Sequence, residues 1–158
     1  MNKSQLSNQR LPQWRNQVDS RSAYARLVEN ECNRHGQIES IGTIFLTNRE
    51  CPFRCNMCDL WKNTLQVSVA PGDIPHQVAT AIAELPPFDS IKLYNSGNFF
   101  DAAAIPVADF PAIAQLVTNY RDCIVENHPK LVSTRLPRFC TDDWSCSVRS
   151  GNWTRDLQ

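Results

Sequence analysis

IGTIFLTNRECPFRCNMC, residues 41–58, decides how the rest of the chain is read. Residues 41–47 form a short apolar run rich in β-branched side chains, which predicts a buried strand. That strand runs directly into a loop holding Cys51, Cys55 and Cys58, three of the seven cysteines in the chain. A strand that delivers a polar, chemistry-bearing loop is the basic unit of parallel α/β architectures, whose sites collect at the carboxyl ends of the strands.

The segments beyond the loop fit that unit. PGDIPHQVATAIAELPP predicts a helix with Asp73 as N-cap, Pro75 in the first turn, Ile74, Val78, Ile82 and Leu85 along one face, and a stop at Pro86 and Pro87. SIKLYN, residues 90–95, predicts a second strand, FPAIAQLVTNY, residues 110–120, a second helix, and CIVE, residues 123–126, a third strand. The order β-α-β-α-β predicts an α/β fold, as a parallel sheet or a (β/α) barrel. Three loops then share one rim: the cysteine loop, NSGNFFD at 95–101, and ENHP at 126–129. Upstream, Tyr24, Leu27, Val28 and Cys32 recur at helical spacing before Gly36, which predicts an amphipathic helix; Cys32 and Cys123 read as small core hydrophobes.

Charge narrows the function classes. Sixteen basic and sixteen acidic residues cancel, so no global field draws the chain to nucleic acid or anionic lipid. Arg15 and the other early basic residues read as a solvated helix face. The polar start MNKSQLSNQR has no signal-peptide core, and no apolar run approaches the roughly 18 residues of a membrane span. These features predict a cytoplasmic protein without a membrane partner. In a reducing compartment, clustered cysteines point to metal binding or catalysis.

Cys51, Cys55 and Cys58 are too close together for a zinc finger, which pairs ligands on two separate knuckles. Zinc with His76 or His128 as fourth ligand stays open, as does a disulfide or merely structural role. An iron–sulfur cluster suits a compact thiolate loop better. A four-iron cubane normally takes four cysteines, so three leave one iron open. Trp61 and Lys62, just past the loop, either shield such a cluster or pack ordinarily.

The C-x3-C-x2-C pattern after the first strand of a βα repeat resembles the signature of the radical S-adenosylmethionine superfamily, whose fold is a partial (β/α)6 barrel. The resemblance implies a [4Fe-4S] cluster on Cys51, Cys55 and Cys58, with S-adenosyl-L-methionine chelating the open iron through its amino and carboxylate groups. It further implies an electron donor such as a ferredoxin or flavodoxin, and cleavage of the sulfonium to a 5′-deoxyadenosyl radical. Met57 stands where the family usually has an aromatic residue near the adenine. Ser96, Gly97 and Asn98 stand where the family has a GGE-like segment that receives the cofactor's amino group; Asn98 in place of Glu makes that contact neutral. Glu126 ends the third strand as a candidate cofactor or substrate contact, with His128 beside it.

The longer strings TNRECPFRCNMCDLWKNTL, IKLYNSGNFFD and VENHPK are similar to one branch, which includes the archaeosine synthase radical partner and, more distantly, the Elongator catalytic subunit. That similarity covers about residues 40–131 and implies a tRNA base as one substrate class. The expected organisation is an N-terminal helical extension at 1–39, an incomplete radical S-adenosylmethionine core of about three βα units at 40–132, and an irregular tail at 133–158. Eleven Ser, Thr or Arg in the 26 tail residues, without a sustained period, predict a truncated or frameshifted end after about residue 132. The expected activity is reductive cleavage of S-adenosylmethionine. The alternatives are a non-catalytic iron–sulfur or zinc binding module, or an inactive truncated product.

Overall fold

The computed structural model describes residues 14–33, 35–53 and 58–127, together with the backbone of 146–150. Five strands form one mixed sheet in the order β1-β2-β3-β4-β5: β1 (Ala25–Cys32), β2 (Ile38–Phe45), β3 (Ser90–Tyr94), β4 (Cys123–Asn127) and β5 (Cys146–Ser150). Helix α1 (Asp73–Glu84) joins β2 to β3, and α2 (Phe110–Val117) joins β3 to β4. The β2–β3 and β3–β4 pairs are parallel, as the alternation of elements predicts. The mixed α/β class therefore holds.

One face of the sheet is the core. Ile44 and Leu46 from the β2 segment, Ile91 and Leu93 from β3, and Cys123 and Val125 from β4 are buried against Ile74, Val78 and Ala81 of α1 and Phe110, Ile113 and Val117 of α2. The alternate residues of β2 to β4 turn to the opposite face, as the two-residue period of a strand requires. Gly42 lies on the helix-packed face because nothing larger fits: a Cβ there would stand 2.7 Å from the ring of Phe88, which stacks on Tyr120 with centroids 4.6 Å apart. Cys123 is a core hydrophobe, as its apolar surroundings in the sequence predict.

Four expectations need correction. The helix predicted over Tyr24–Cys32 is strand β1, paired antiparallel with β2 from Ala25↔Phe45 to Cys32↔Ile38. The pairing satisfies the backbone of β1 along the edge of β2. Gly36 takes a left-handed φ of 76° in the connecting turn, where Asn33 Oδ1 accepts the amides of His35 and Gln37. A left-handed glycine ends helices and closes hairpins alike, so its position did not separate the two. The extension at 1–39 is therefore not helical where it is described, and Cys32 is exposed rather than buried in a helix face.

The tail is not wholly irregular, since residues 146–150 pair parallel with β4 from Cys123↔Cys146 to Asn127↔Ser150. Backbone groups on the edge of β4 are satisfied by any extended segment, and no apolar alternation is needed for that. Finally, the N-cap of α1 is Gly72, at φ 92°, with Asp73 the first helical residue. The Gly72 amide donates to Asp109 Oδ1 at 2.8 Å, so a carboxylate from the second crossover caps the first helix.

Candidate functional site

The parallel strands β2 and β3 deliver their following loops to the rim on which β4 also ends; the segment after β4, residues 128–145, lies outside the described residues. The cysteine loop is held at its stem. Glu50 N donates to Leu65 O and Leu65 N to Asn48 O, both at 2.8 Å, so the chain leaves at residue 50 and returns at 65 beside the end of β2. Gln77 of α1, fully buried, fixes the strand end beneath the loop. Its Oε1 accepts the Thr47 amide at 2.8 Å, and its Nε2 donates to Thr47 O at 2.8 Å and to Ser20 O at 2.6 Å. A helix side chain thereby satisfies both backbone groups of the residue four before Cys51.

The loop after β3 is anchored from below. Phe99 and Phe100 are buried and meet Phe110 of α2 with ring centroids 5.8 Å away in each case. Burying two phenylalanines contributes roughly 3–6 kcal/mol. The Phe99 amide donates to the carbonyl of Glu126 at 2.9 Å, which ties this loop to the end of β4. Ser96 carries the unusual backbone of the turn, with φ 52°, and its Oγ lies 3.2 Å from the Tyr24 hydroxyl. A left-handed non-glycine residue is uncommon and concentrates where the surroundings over-determine it.

Gly97 does not supply that left-handed position. A Cβ at Gly97 would lie 3.3 Å from Cys51 Cβ and 3.8 Å from Cys51 Cα. Its missing side chain lets the second loop lie directly against the first cysteine. The structure so brings Cys51 together with the Ser96, Gly97 and Asn98 turn. Cys51 and Cys58 are both half-buried thiols. Cys55 and Met57 lie outside the described residues, as does His128. Among the described residues no three His, Cys, Asp or Glu side chains gather in a metal-holding group. His76, offered by the zinc reading, is exposed on α1. Trp61 is buried and packs under the Arg15 guanidinium, 4.9 Å from its ring centroid.

Polar atoms at this rim are unusually short of partners. Asn95 and Asn127 have neither amide atom hydrogen-bonded, and Thr47 Oγ1, Asn48 Oδ1 and Asn98 Nδ2 likewise find no partner among the described residues. All five residues are at most 2% exposed. Each such group costs about 1–3 kcal/mol, and native proteins keep few of them. Asn95 and Asn127 each stand two residues beyond the β3–β4 pair Leu93↔Val125. Asn98 keeps one bond, accepting the Phe100 amide on Oδ1 at 3.3 Å. Glu126 is partly buried, and desolvation pushes its carboxyl up from the ordinary value.

Sequence reasoning names Ser96, Gly97, Asn98 and Glu126 on this rim and gives Asn48, Asn95 and Asn127 no role. The signal is short: Leu46-Thr47-Asn48, Leu93-Tyr94-Asn95 and Val125-Glu126-Asn127 each place an asparagine two residues after a core side chain. The turn after β3 sets neutral hydrogen-bonding groups beside Cys51. No helix among the described residues is long and apolar enough to cross a membrane. No family model matches the chain, and comparisons with curated proteins and with solved structures returned no significant match.

Proposed function

We propose that the chain is a radical S-adenosylmethionine enzyme, or part of one, whose site is the rim formed by the loops after β2 and β3 and the end of β4, within a partial (β/α)6 barrel. The approach of Gly97 to Cys51 carries this reading, because it sets the polar Ser96, Gly97 and Asn98 turn against the first cysteine of the loop. Three thiolates, from Cys51, Cys55 and Cys58, are the donor set of a [4Fe-4S] cluster with one iron left for an external ligand. When bound, the cluster supplies one electron, drawn from a ferredoxin or flavodoxin, that splits the sulfonium of S-adenosyl-L-methionine into methionine and a 5′-deoxyadenosyl radical.

The chain's own residues then bind and orient. Ser96 Oγ and the second lone pair of Asn98 Oδ1, which already accepts the Phe100 amide, offer neutral acceptors to the amino group of the methionine moiety, and Gly97 leaves the backbone open to it. Met57, which the resemblance sets beside the adenine, would offer it a soft, polarizable surface. Glu126, its carboxyl pushed up by burial, faces cofactor or substrate as an acceptor that gains from a cationic or donor partner. Buried, unpartnered amides on the same rim also support a ligand-binding site, since such groups are retained where a ligand satisfies them. A tRNA base is the substrate class that the branch resemblance favours, and a cytoplasmic setting suits the thiols.

The test is anaerobic loading with iron and sulfide, then reduction in the presence of S-adenosylmethionine. The reading expects methionine and 5′-deoxyadenosine in equal amounts, and neither from Cys51→Ala or Cys58→Ala. A colourless zinc protein, or an iron–sulfur protein that leaves the sulfonium intact, makes the chain a binding module instead.

A further inference from the structure

We propose that Arg15, outside the βα core, is a positioning residue that locks the cysteine loop, acting as a clamp across its two ends. Among the described residues, the loop between 50 and 65 carries little regular structure. Its stem is a single bridge at Arg49↔Leu65, and within it only the 3-10 turn Leu60–Asn63 is regular among the described residues. Arg15 reaches both ends at once. One guanidinium nitrogen, Nη1, donates to Trp61 O at 3.0 Å, Thr64 O at 3.2 Å and Thr64 Oγ1 at 3.4 Å on the returning side. The other, Nη2, pairs with the carboxylate of Glu50, the residue immediately before Cys51. The plane of the fork lies over the Trp61 ring at 4.9 Å.

The neighbouring chain reinforces the contact. Asn16 N donates to Lys62 O at 3.0 Å, and Asn16 Nδ2 to Asn63 Oδ1 at 2.6 Å. Farther along the same segment, Ser20 O accepts from Gln77, and the Tyr24 hydroxyl meets Ser96 Oγ. Residues 15–24 thus strap both halves of the rim. Arginine is suited to the place in a way that lysine is not, because a planar fork serves carboxylate, carbonyls and aromatic face simultaneously. The Arg15–Glu50 pair is three-quarters or more buried on both sides, so solvent screens it less than a surface pair. With the entry and exit fixed, Cys51 and Cys58 are presented at a set spacing before any metal arrives. The bearing on cluster binding rests on the function proposed above; the clamp itself does not.

The test compares wild type, Arg15→Gln and Arg15→Lys as apoproteins, labelling with iodoacetamide and following each cysteine by peptide mass spectrometry. In Arg15→Gln, Cys51 and Cys58 label about fivefold faster. Cys123 in the core and Cys32 on the exposed edge keep their rates, and Arg15→Lys falls between. Equal rates for Cys51 and Cys58 in all three proteins overturn the clamp. So does a parallel rise at Cys123, since that marks general loosening of the fold. In the iron-loaded proteins, release to a chelator is expected to be about fivefold faster for Arg15→Gln. If wild type takes up no iron, the cluster reading fails while the labelling contrast still decides the clamp.

Discussion

Replacing Asn95 by leucine separates what the rim does for stability from what it does for binding. Asn95 is fully buried with neither amide atom bonded among the described residues. Leucine keeps the branch at Cγ and removes both polar atoms. An unsatisfied buried group costs about 1–3 kcal/mol, and its removal by an apolar group of similar shape is neutral or stabilising. Asn95→Leu is therefore expected to gain about 1–3 kcal/mol. For a chain of this size that raises the midpoint of thermal unfolding by roughly 2–12 °C. Calorimetry or circular dichroism on the apoprotein reads the shift. The same variant, loaded with iron, should bind S-adenosylmethionine more weakly, because the donor and acceptor offered to the ligand are gone. Asn95→Asp serves as the opposite control: it places an unpaired charge in the same spot and lowers the midpoint at neutral pH. A midpoint that falls for Asn95→Leu refutes the reasoning, since it means that the amide is bonded into the framework.

Gln77→Leu leaves the buried Thr47 amide and carbonyl without partners and is expected to cost about 2–4 kcal/mol in urea unfolding, with loosened iron binding following from the freed end of β2. Gly97→Val forces methyl groups into the 3.3 Å gap beside Cys51; overpacking costs about 1–3 kcal/mol, and the iron content after reconstitution should drop by more than the melting temperature suggests, because Cys51 sits on a loop that yields before the core does. Glu126 is protonated more readily in the folded than in the unfolded chain, so its ionisation penalises the fold as pH rises past the ordinary value of 4.5, and the penalty is absent in stronger acid. Glu126→Gln should accordingly be more stable than wild type at neutral pH, with the difference vanishing below about pH 4.5 in pH-dependent urea titrations.

What the sequence made legible follows from burial. β2, α1, β3, α2 and β4 each place apolar residues on one shared core, so Ile74 and Val78, or Ile91 and Leu93, announce their period. β1 has no such pattern because most of its side chains face solvent, and its identity comes from backbone pairing with β2. Four apolar positions that happen to satisfy helical spacing were outweighed by a partner strand no local window contains. β5 escaped for the same reason. At the site, the resemblance sets Gly97 against the cofactor's amino group, whereas its missing Cβ lies against Cys51 in the structure, and the left-handed backbone of the turn falls on Ser96. Arg15 looked like a solvated cation, since nothing in the sequence ties it to Glu50 and Thr64, 35 and 49 residues away. The three strand-end asparagines were visible in the letters, yet the unbonded amide atoms they carry among the described residues, both of them in Asn95 and Asn127 and Oδ1 alone in Asn48, were not.

The central claim is that three cysteines leave one iron open to a sulfonium ligand, and paramagnetic resonance of the reduced, iron-loaded protein tests it most directly. Adding S-adenosylmethionine should change the g-values of the cluster signal, and nitrogen-labelled cofactor should show hyperfine coupling to the iron, with Cys51→Ala lacking the parent signal. A cluster spectrum that is unchanged by the cofactor, or one that persists in Cys51→Ala, would contradict the account.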